Sequence, residues 1–408
     1  ALIFIALFYF LKTTKSFAEI NKFLSVFAVT LGVLALVGVV RYTAAGRQTA
    51  PDNLTTEDKK FIEDFKKKSG TSLPDVYYIV PDGYANLSAL QEYFNYDSAE
   101  FAKFLNQKGF QMAKNSKSNY PNTQFSLAAS LNMNYVDSTA TEGSGKLMEM
   151  LRYNKVLQFF KELGYKFVVF DSGYAITNYK KNADVLFDGG FLGEFPLLVL
   201  RSTALQPFFI GNWPIGYNLD NEMRKRILFT FDKLGSEVPR IEDPKFVIAH
   251  VNIPHMPYLF DRDGKEIYVA GYGKSFKPED ISAFLEYSIF GARKIQEAAE
   301  GILKSSATPP VIIIQSDHGF TIAEDEGLTD TSYSNRGVRI RFSNFSAYYL
   351  PGIKRGLLPQ NLTPVNTFRF IFNNYFGAQY PFLENKHYFR IPVNGDNFPE
   401  VPSAKLKL

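Results

Sequence analysis

Asp317 and His318 stand side by side, one residue after the apolar segment Pro310–Gln315 and before Gly319. An acid and an imidazole at adjacent positions, where a buried strand stops, can both turn towards one cation. A carboxylate oxygen and a neutral imidazole are good ligands for Zn²⁺ or Mn²⁺, with Mg²⁺ or Ca²⁺ also within reach of a carboxylate-rich site. Asp82 occupies a similar position, after the run Val76–Val80 and before Gly83. Thr123 follows Asn119-Tyr120-Pro121-Asn122 and opens the stretch QFSLAA, which places its hydroxyl at a helix amino end. There the helix dipole and free N–H groups favour an anion, and a neighbouring cation would lower the hydroxyl's pKa towards a nucleophile. His255 sits between Pro254 and Pro257, on a stiff loop from which it could protonate a leaving oxygen or hold an anion. Asn122 adjoins the nucleophile position, while Arg336 and Arg339 follow the Asp-His pair and could also face an anion.

Each of these residues, taken singly, has an ordinary explanation: a turn aspartate, a helix cap, a loop histidine, exposed arginines. His250 reads as a core histidine inside a strand, His387 as a surface residue, and Trp213 as a packing residue. What joins the candidates is the set of elements that must carry them. Val76–Val80, Tyr165–Phe170, Lys245–Ile253, Pro310–Gln315 and Ala347–Leu350 are short runs rich in β-branched and aromatic residues. Helical spacing separates them, over Ser98–Lys108, Thr123–Leu131, Lys155–Leu163, Asn221–Leu234, Pro278–Lys304 and Pro364–Phe376. Strands apolar on both faces, alternating with helices, predict an α/β fold with a mostly parallel sheet and helices on both faces. Ligands in such sheets bind beyond the carboxyl ends of the strands. Asp82, His255, Asp317 and His318 all fall there, so they should gather on one edge.

The 408 residues are 46% hydrophobic and 16% aromatic, enough for a large packed core. The formal charge of +4 comes from basic residues scattered along the chain, and no Lys/Arg block argues for nucleic acid. There is no cysteine, which excludes disulfides, zinc ribbons and thiol nucleophiles. Phe23–Val40 runs without a charge between Lys22 and Arg41, a length suited to a transmembrane helix. Ala1–Leu11 reads as the end of another. The loop between them carries Lys12, Lys15 and Lys22 against Glu19, which by the positive-inside rule faces the cytoplasm and leaves the following domain outside. The expected organisation is a membrane region over 1–45 with its second helix at 23–40, a linker and lead-in helix over 46–73, a catalytic domain over 74–390 and a tail over 391–408.

The segments DVYYIVPDGYA, SNYPNTQFSLAASLNMNY, FVIAHVNIPHMPYLFD and PVIIIQSDHG, with the later AYYLPG and TPVNTFRFIFNNYFG, occur in an order that resembles the sulfatase-like hydrolase/transferase family of the alkaline phosphatase superfamily. The resemblance spans roughly Pro74 to Arg390. It implies an alkaline-phosphatase-like sheet, a divalent metal held by Asp82, Thr123, Asp317 and His318, Thr123 as nucleophile, and His255 at the substrate's anionic or leaving group. With the membrane segments it also looks like the membrane-anchored, lipoteichoic-acid-synthase-like group of bacterial cell envelopes. Those relatives place Glu where this chain has Asp82. Formylglycine sulfatases need a Cys/Ser-x-Pro-x-Arg motif, and the nucleophile region here reads Tyr-Pro-Asn-Thr-Gln. The implied reaction is phosphoester hydrolysis or phospho-group transfer on a lipid- or glycan-linked anionic substrate. A sulfuric ester hydrolase and a catalytically silent envelope-binding module are the alternatives.

Overall fold

The computed structural model describes residues 17–45, 51–68, 73–136, 140, 144–174, 177, 179–180, 182–190, 219–242, 244–269, 278–320, 335–389 and 399–406. The run Ala1–Leu11 and Trp213 lie outside them. The chain divides into two compact units, 1–51 and 52–408.

In the first unit the described part is one helix, α1, Phe17–Ala45, of 29 residues. It contains the whole charge-free run Phe23–Val40, and Val26, Val29, Leu34 and Leu36 on it are each more than 60% exposed. Judged on the described residues alone, no helix is long and apolar enough to cross a membrane.

The second unit opens with α2 (Thr56–Lys68) and is organised by a seven-stranded sheet. Its strands are β1 (Val76–Pro81), β2 (Phe110–Met112), β3 (Lys166–Phe170), β4 (Val185–Phe187), β5 (Lys245–Val251), β8 (Val311–Gln315) and β9 (Ser346–Tyr349), in the order β2-β9-β8-β1-β5-β3-β4. A separate hairpin pairs β6 (Tyr258–Phe260) with β7 (Glu266–Val269). β1, β3, β4, β5 and β8 run parallel, while β9 is antiparallel to both of its neighbours. This is the mostly parallel sheet that the apolar runs require. Every residue of β1, β5 and β8 is buried.

The two-residue period of a strand divides those side chains between two cores. Val76, Tyr78 and Val80 join Phe246, Ile248, Val311 and Ile313 on one face, whereas Tyr77 and Ile79 join Val247, Ala249, Ile312 and Ile314 on the other. The first face is covered by α5 (Thr123–Asn132), α6 (Gly145–Arg152), α7 (Lys155–Glu162) and α11 (Pro364–Ile371). Phe159 of α7 stacks on Phe372 at 3.8 Å, and Phe160 stacks on Phe246 of β5 at 4.4 Å. The second face is covered by α3 (Leu87–Phe94), α4 (Ala99–Gln107), α8 (Leu219–Ser236) and α9 (Pro278–Ser305). The helical pattern over Pro278–Lys304 thus forms one helix. Near the carboxyl end, α10 (Asn335–Phe342) and α12 (Ser403–Leu406) bury Val338, Phe342, Phe389, Val401 and Leu406 together.

Candidate metal centre and active site

Parallel strands end on one edge of the sheet, and two of them deliver the acids. Asp82 follows β1; its N–H donates to Val251 O at 2.9 Å, tying the end of β1 to the end of β5. Gly83 then turns the chain at φ 71°, a backbone state that a side chain resists. Its N–H donates to Asp317 Oδ1 at 3.0 Å, and so does the N–H of His318, also at 3.0 Å. Asp317 is therefore oriented by two donors on one oxygen. Gly319 packs so closely on α10 that an added Cβ would lie 2.0 Å from Ile340 O. Its N–H donates to Arg341 O at 2.7 Å, which fixes where the 316–319 turn sits.

Thr123 arrives from the other side. Asn122 is the residue in the cap position of α5, with an extended backbone and no side-chain cap bond, and Thr123 is the first helical residue. The cap explanation for Thr123 is thereby removed. Ser126, one turn on, donates to Asp317 O at 2.5 Å and pins the helix to the end of β8. Thr123 Oγ1 lies 3.5 Å from His318 Nε2.

Asp82, Asp317 and His318 each offer an atom within 4.8 Å of the others, and all three residues are buried. His318 Nδ1 lies 2.9 Å from Gly319 O, which can only accept; Nδ1 carries the proton, and Nε2 presents its lone pair to the cluster. That nitrogen lies 3.6 Å from Asp82 Oδ1 and 3.3 Å from Asp317 Oδ2. Both of those oxygens are buried without a hydrogen-bond partner. Burial, reinforced by the Arg341 guanidinium, pushes the His318 pKa down to about 4, so the ring is neutral at neutral pH. Two buried carboxylates with free oxygens and a neutral imidazole nitrogen form a donor set that fits a divalent cation. Without one, each unpaired buried charge is costly. The oxygen and nitrogen donors suit Zn²⁺ or Mn²⁺.

Two further residues of this site escaped the sequence reading. His250 is buried in β5 as expected of a core residue, but its Nε2 lies 3.3 Å from Asp82 Oδ2, without the alignment of a directional hydrogen bond. Its Nδ1 meets Thr177 Oγ1 at 3.1 Å. Burial opposes the charged form of His250, yet Asp82 and then Asp317 raise its pKa above the ordinary value. Conversely, burial opposes ionisation of Asp82, and His255, His250 and His318 outweigh it, holding the carboxyl well below the usual range. The signal for His250 was its place next to the last residue of a strand. The other residue is Arg341, whose Nη2 lies 3.4 Å from His318 Nε2 and whose Nη1 donates to Gly319 O at 3.3 Å.

His255 is partly exposed between two cis X-Pro bonds, and its Nδ1 donates to Met256 O at 2.7 Å, leaving Nε2 open. Asn122 Oδ1 is buried and unpartnered beside Thr123. Arg339 and Arg336 are engaged elsewhere: Arg339 donates to Tyr93 Oη at 2.9 Å, and Arg336 lies over the Tyr93 ring at 5.3 Å. His387 is 8% exposed rather than superficial, with Nδ1 donating to Ser118 O at 2.8 Å.

The fold is thus a mostly parallel α/β sheet whose carboxyl edge gathers Asp82, Asp317 and His318 into a group that could hold a metal ion. No protein-family model matches the chain, and no curated protein matches its sequence. Among solved structures, the C-terminal periplasmic domain of EptC from Escherichia coli, with and without zinc, matches with TM-scores of 0.53 and 0.54 at 11% identity. Both matches cover 82% of this chain and 94% of that one. The soluble domain of lipooligosaccharide phosphoethanolamine transferase A from Neisseria meningitidis matches at 14% identity with a TM-score of 0.48, over 75% of this chain and 88% of that one. A 2-O GAG sulfatase matches at 14% identity with a TM-score of 0.48, over 76% and 72%. The chain thus shares its fold with the EptC periplasmic domain.

Proposed function

We propose that the chain is a membrane-anchored, metal-dependent phosphoester transferase or hydrolase that uses Thr123 as its nucleophile and works outside the membrane. One observation carries this reading: the free oxygens of Asp82 and Asp317 and the lone pair of His318 converge, and the Thr123 hydroxyl stands 3.5 Å from that lone pair. The residues that would hold the metal are Asp82, Thr123, Asp317 and His318. A zinc or manganese ion there would supply charge neutralisation for an anionic ester and acidify the hydroxyl. The EptC structure solved with zinc supports zinc as the first ion to test.

The chain's own residues then divide the work. The amino end of α5 presents the positive end of its helix dipole to the transferring anion. The Thr123 hydroxyl loses its proton to solvent and attacks phosphorus, forming phosphothreonine as the bond to the leaving oxygen breaks. His255, in its protonated form, gives its proton to that oxygen. Water or an acceptor hydroxyl then attacks the phosphothreonine and frees the threonine. His250 and Arg341 hold Asp82 and His318 in position.

An anchor is supported by the uncharged run Phe23–Val40 inside α1 and by its exposed valines and leucines. The lysine-rich stretch before it supports an extracytoplasmic catalytic domain, as in the periplasmic domains that share the fold. A lipid-linked or envelope-glycan ester is then the substrate within reach.

The test uses the full chain with Zn²⁺ or Mn²⁺ and a matched pair of nitrophenyl phosphodiester and sulfate esters. Phosphodiester turnover, with phosphothreonine at position 123 trapped by acid quench and seen by mass spectrometry, is the expected result. Undiminished turnover in Thr123→Ala would overturn the nucleophile, and turnover of the sulfate ester alone would move the reaction to sulfuric esters.

A further inference from the structure

Of the three arginines on α10, two engage Tyr93 and one reaches the acid cluster. Arg336 lies over the Tyr93 ring and Arg339 donates to its hydroxyl. Arg341 sends its guanidinium to His318 instead. Nη2 lies 3.4 Å from His318 Nε2, the nitrogen that also faces Asp317 Oδ2 at 3.3 Å, Thr123 Oγ1 at 3.5 Å and Asp82 Oδ1 at 3.6 Å. Gly319 fixes this arginine twice: its N–H donates to Arg341 O at 2.7 Å, and its carbonyl accepts from Arg341 Nη1 at 3.3 Å. The same carbonyl accepts from His318 Nδ1 at 2.9 Å, so the guanidinium and the imidazole are clamped side by side. Asp82, Thr123, Asp317 and His318 are all buried, whereas Arg341 is half-buried and is the member of this group that solvent reaches.

Holding His318 uses only one arm of that fork. Nη1 serves Gly319 O, while Nη2 faces a nitrogen with a single lone pair. That lone pair cannot serve a guanidinium and a metal ion together. Once Nε2 acts as a ligand, Nη2 needs another acceptor, and Asp82 Oδ1 and Asp317 Oδ2 are then committed as ligands too. A guanidinium keeps its charge at any working pH, so two cations would stand on one side of the imidazole and repel each other. A negatively charged oxygen between them relieves that repulsion, which a water or an alcohol does far less. We propose that Arg341 is a direct contact for the anionic oxygens of the transferring group, shared with the metal beside Thr123. This rests on the proposed phosphoester reaction and adds to it a residue that touches the substrate. A phosphoryl group suits the position, because a planar fork of donors matches its oxygens better than a point charge does.

The test is calorimetric titration of the full chain in detergent, first with Zn²⁺ in phosphate-free buffer, then with inorganic phosphate on the zinc-loaded protein. Arg341→Met should weaken phosphate binding about ten- to hundred-fold, the worth of a lost hydrogen bond between charged groups. Its zinc affinity without phosphate should change by less than about three-fold, because removing the like charge offsets the lost bond to Gly319, whereas loss of a residue that only oriented His318 would cost about 10- to 100-fold there. Arg341→Lys keeps the charge without the fork and should weaken phosphate about three- to ten-fold. Circular dichroism checks folding, and Arg341→Lys decides if Arg341→Met does not fold. Phosphate affinity unchanged in the folded variant, or zinc affinity falling as far as phosphate affinity, overturns the proposal. The two readings fail differently: a wild type that binds no zinc removes the proposed reaction and this contact with it, whereas zinc and phosphate binding indifferent to Arg341 removes the contact alone.

Discussion

Two groups of carboxylates sit at the carboxyl edge of this sheet and have opposite characters. Asp171, directly after β3, is closed off by cations: Arg226 Nη1 lies 2.5 Å from its Oδ2 and Lys180 Nζ lies 3.0 Å away. Asp188 shares both cations, at 3.3 Å from Arg226 and 2.9 Å from Lys180. Asp82 and Asp317 have no Lys or Arg of that kind at bonding distance among the described ion pairs; histidines face them, and one oxygen of each stays free. The groups even communicate, through His250 Nδ1, Thr177 Oγ1 and Ser172 Oγ at steps of 3.1 and 2.8 Å. A satisfied cluster holds loops together. An unsatisfied one, kept at a cost in stability, is where a ligand is owed.

The largest expected effect lies on the open side. Thr123→Ala should lower kcat/KM for a phosphodiester by at least about a thousand-fold at saturating metal, with metal binding weakened but retained through the other three ligands, measured by steady-state kinetics beside metal analysis. Next comes a crossed pair. Asp171→Asn leaves Arg226 with one acid fewer and should cost about 3 kcal/mol in denaturant unfolding, with metal affinity intact. Asp317→Asn keeps the Oδ1 that accepts from Gly83 and His318, so the metal-free protein should be no less stable, while metal binding is lost. If Asp171→Asn lost the metal and Asp317→Asn unfolded, the contrast between the clusters would be wrong. Smaller again is the cost of His250→Ala, about 10- to 100-fold in metal affinity by titration, since it orients a ligand without being one.

How much of this was legible depends on where the information lies. β1, β5 and β8 are mostly apolar runs, broken only by Lys245 and His250 in β5 and ended by Gln315 in β8, and fully buried parallel strands need that composition, so both the sheet and the edge carrying Asp82 and Asp317 could be read directly. β2 and β4 have three residues each and leave no period to detect. α10 reads NRGVRIRF; with three arginines and a glycine it lacks a long apolar stripe, although it buries Val338, Ile340 and Phe342. Arg341 was hidden for that reason, since its value to the site depends on Gly319 packing against α10. His250 was hidden differently. It pairs in register with Val80, two residues before Asp82, and only the alignment of β1 with β5 reveals that neighbour.

The smallest effect separates the open cluster from mere burial of histidine. His387 is buried outside that cluster, and burial pushes its pKa down to about 4 from 6.5, the Ser118 carbonyl opposing this and Lys117 aiding it. A depressed folded pKa means that the unfolded chain binds the proton more tightly. The stabilisation is thus full above pH 6.5 and is lost as pH falls towards 4. His387→Asn keeps a donor for the Ser118 carbonyl and removes the titration. In the metal-free protein it should flatten the fall of Tm between pH 6.5 and 4, read by scanning fluorimetry. His318 shares the same low pKa, so its own fall should persist in that variant and steepen when a cation competes with the proton for its nitrogen. A Tm profile unchanged by His387→Asn but already flat without metal would mean that neither histidine is neutral by burial, and the open cluster would lose its ready-made nitrogen ligand.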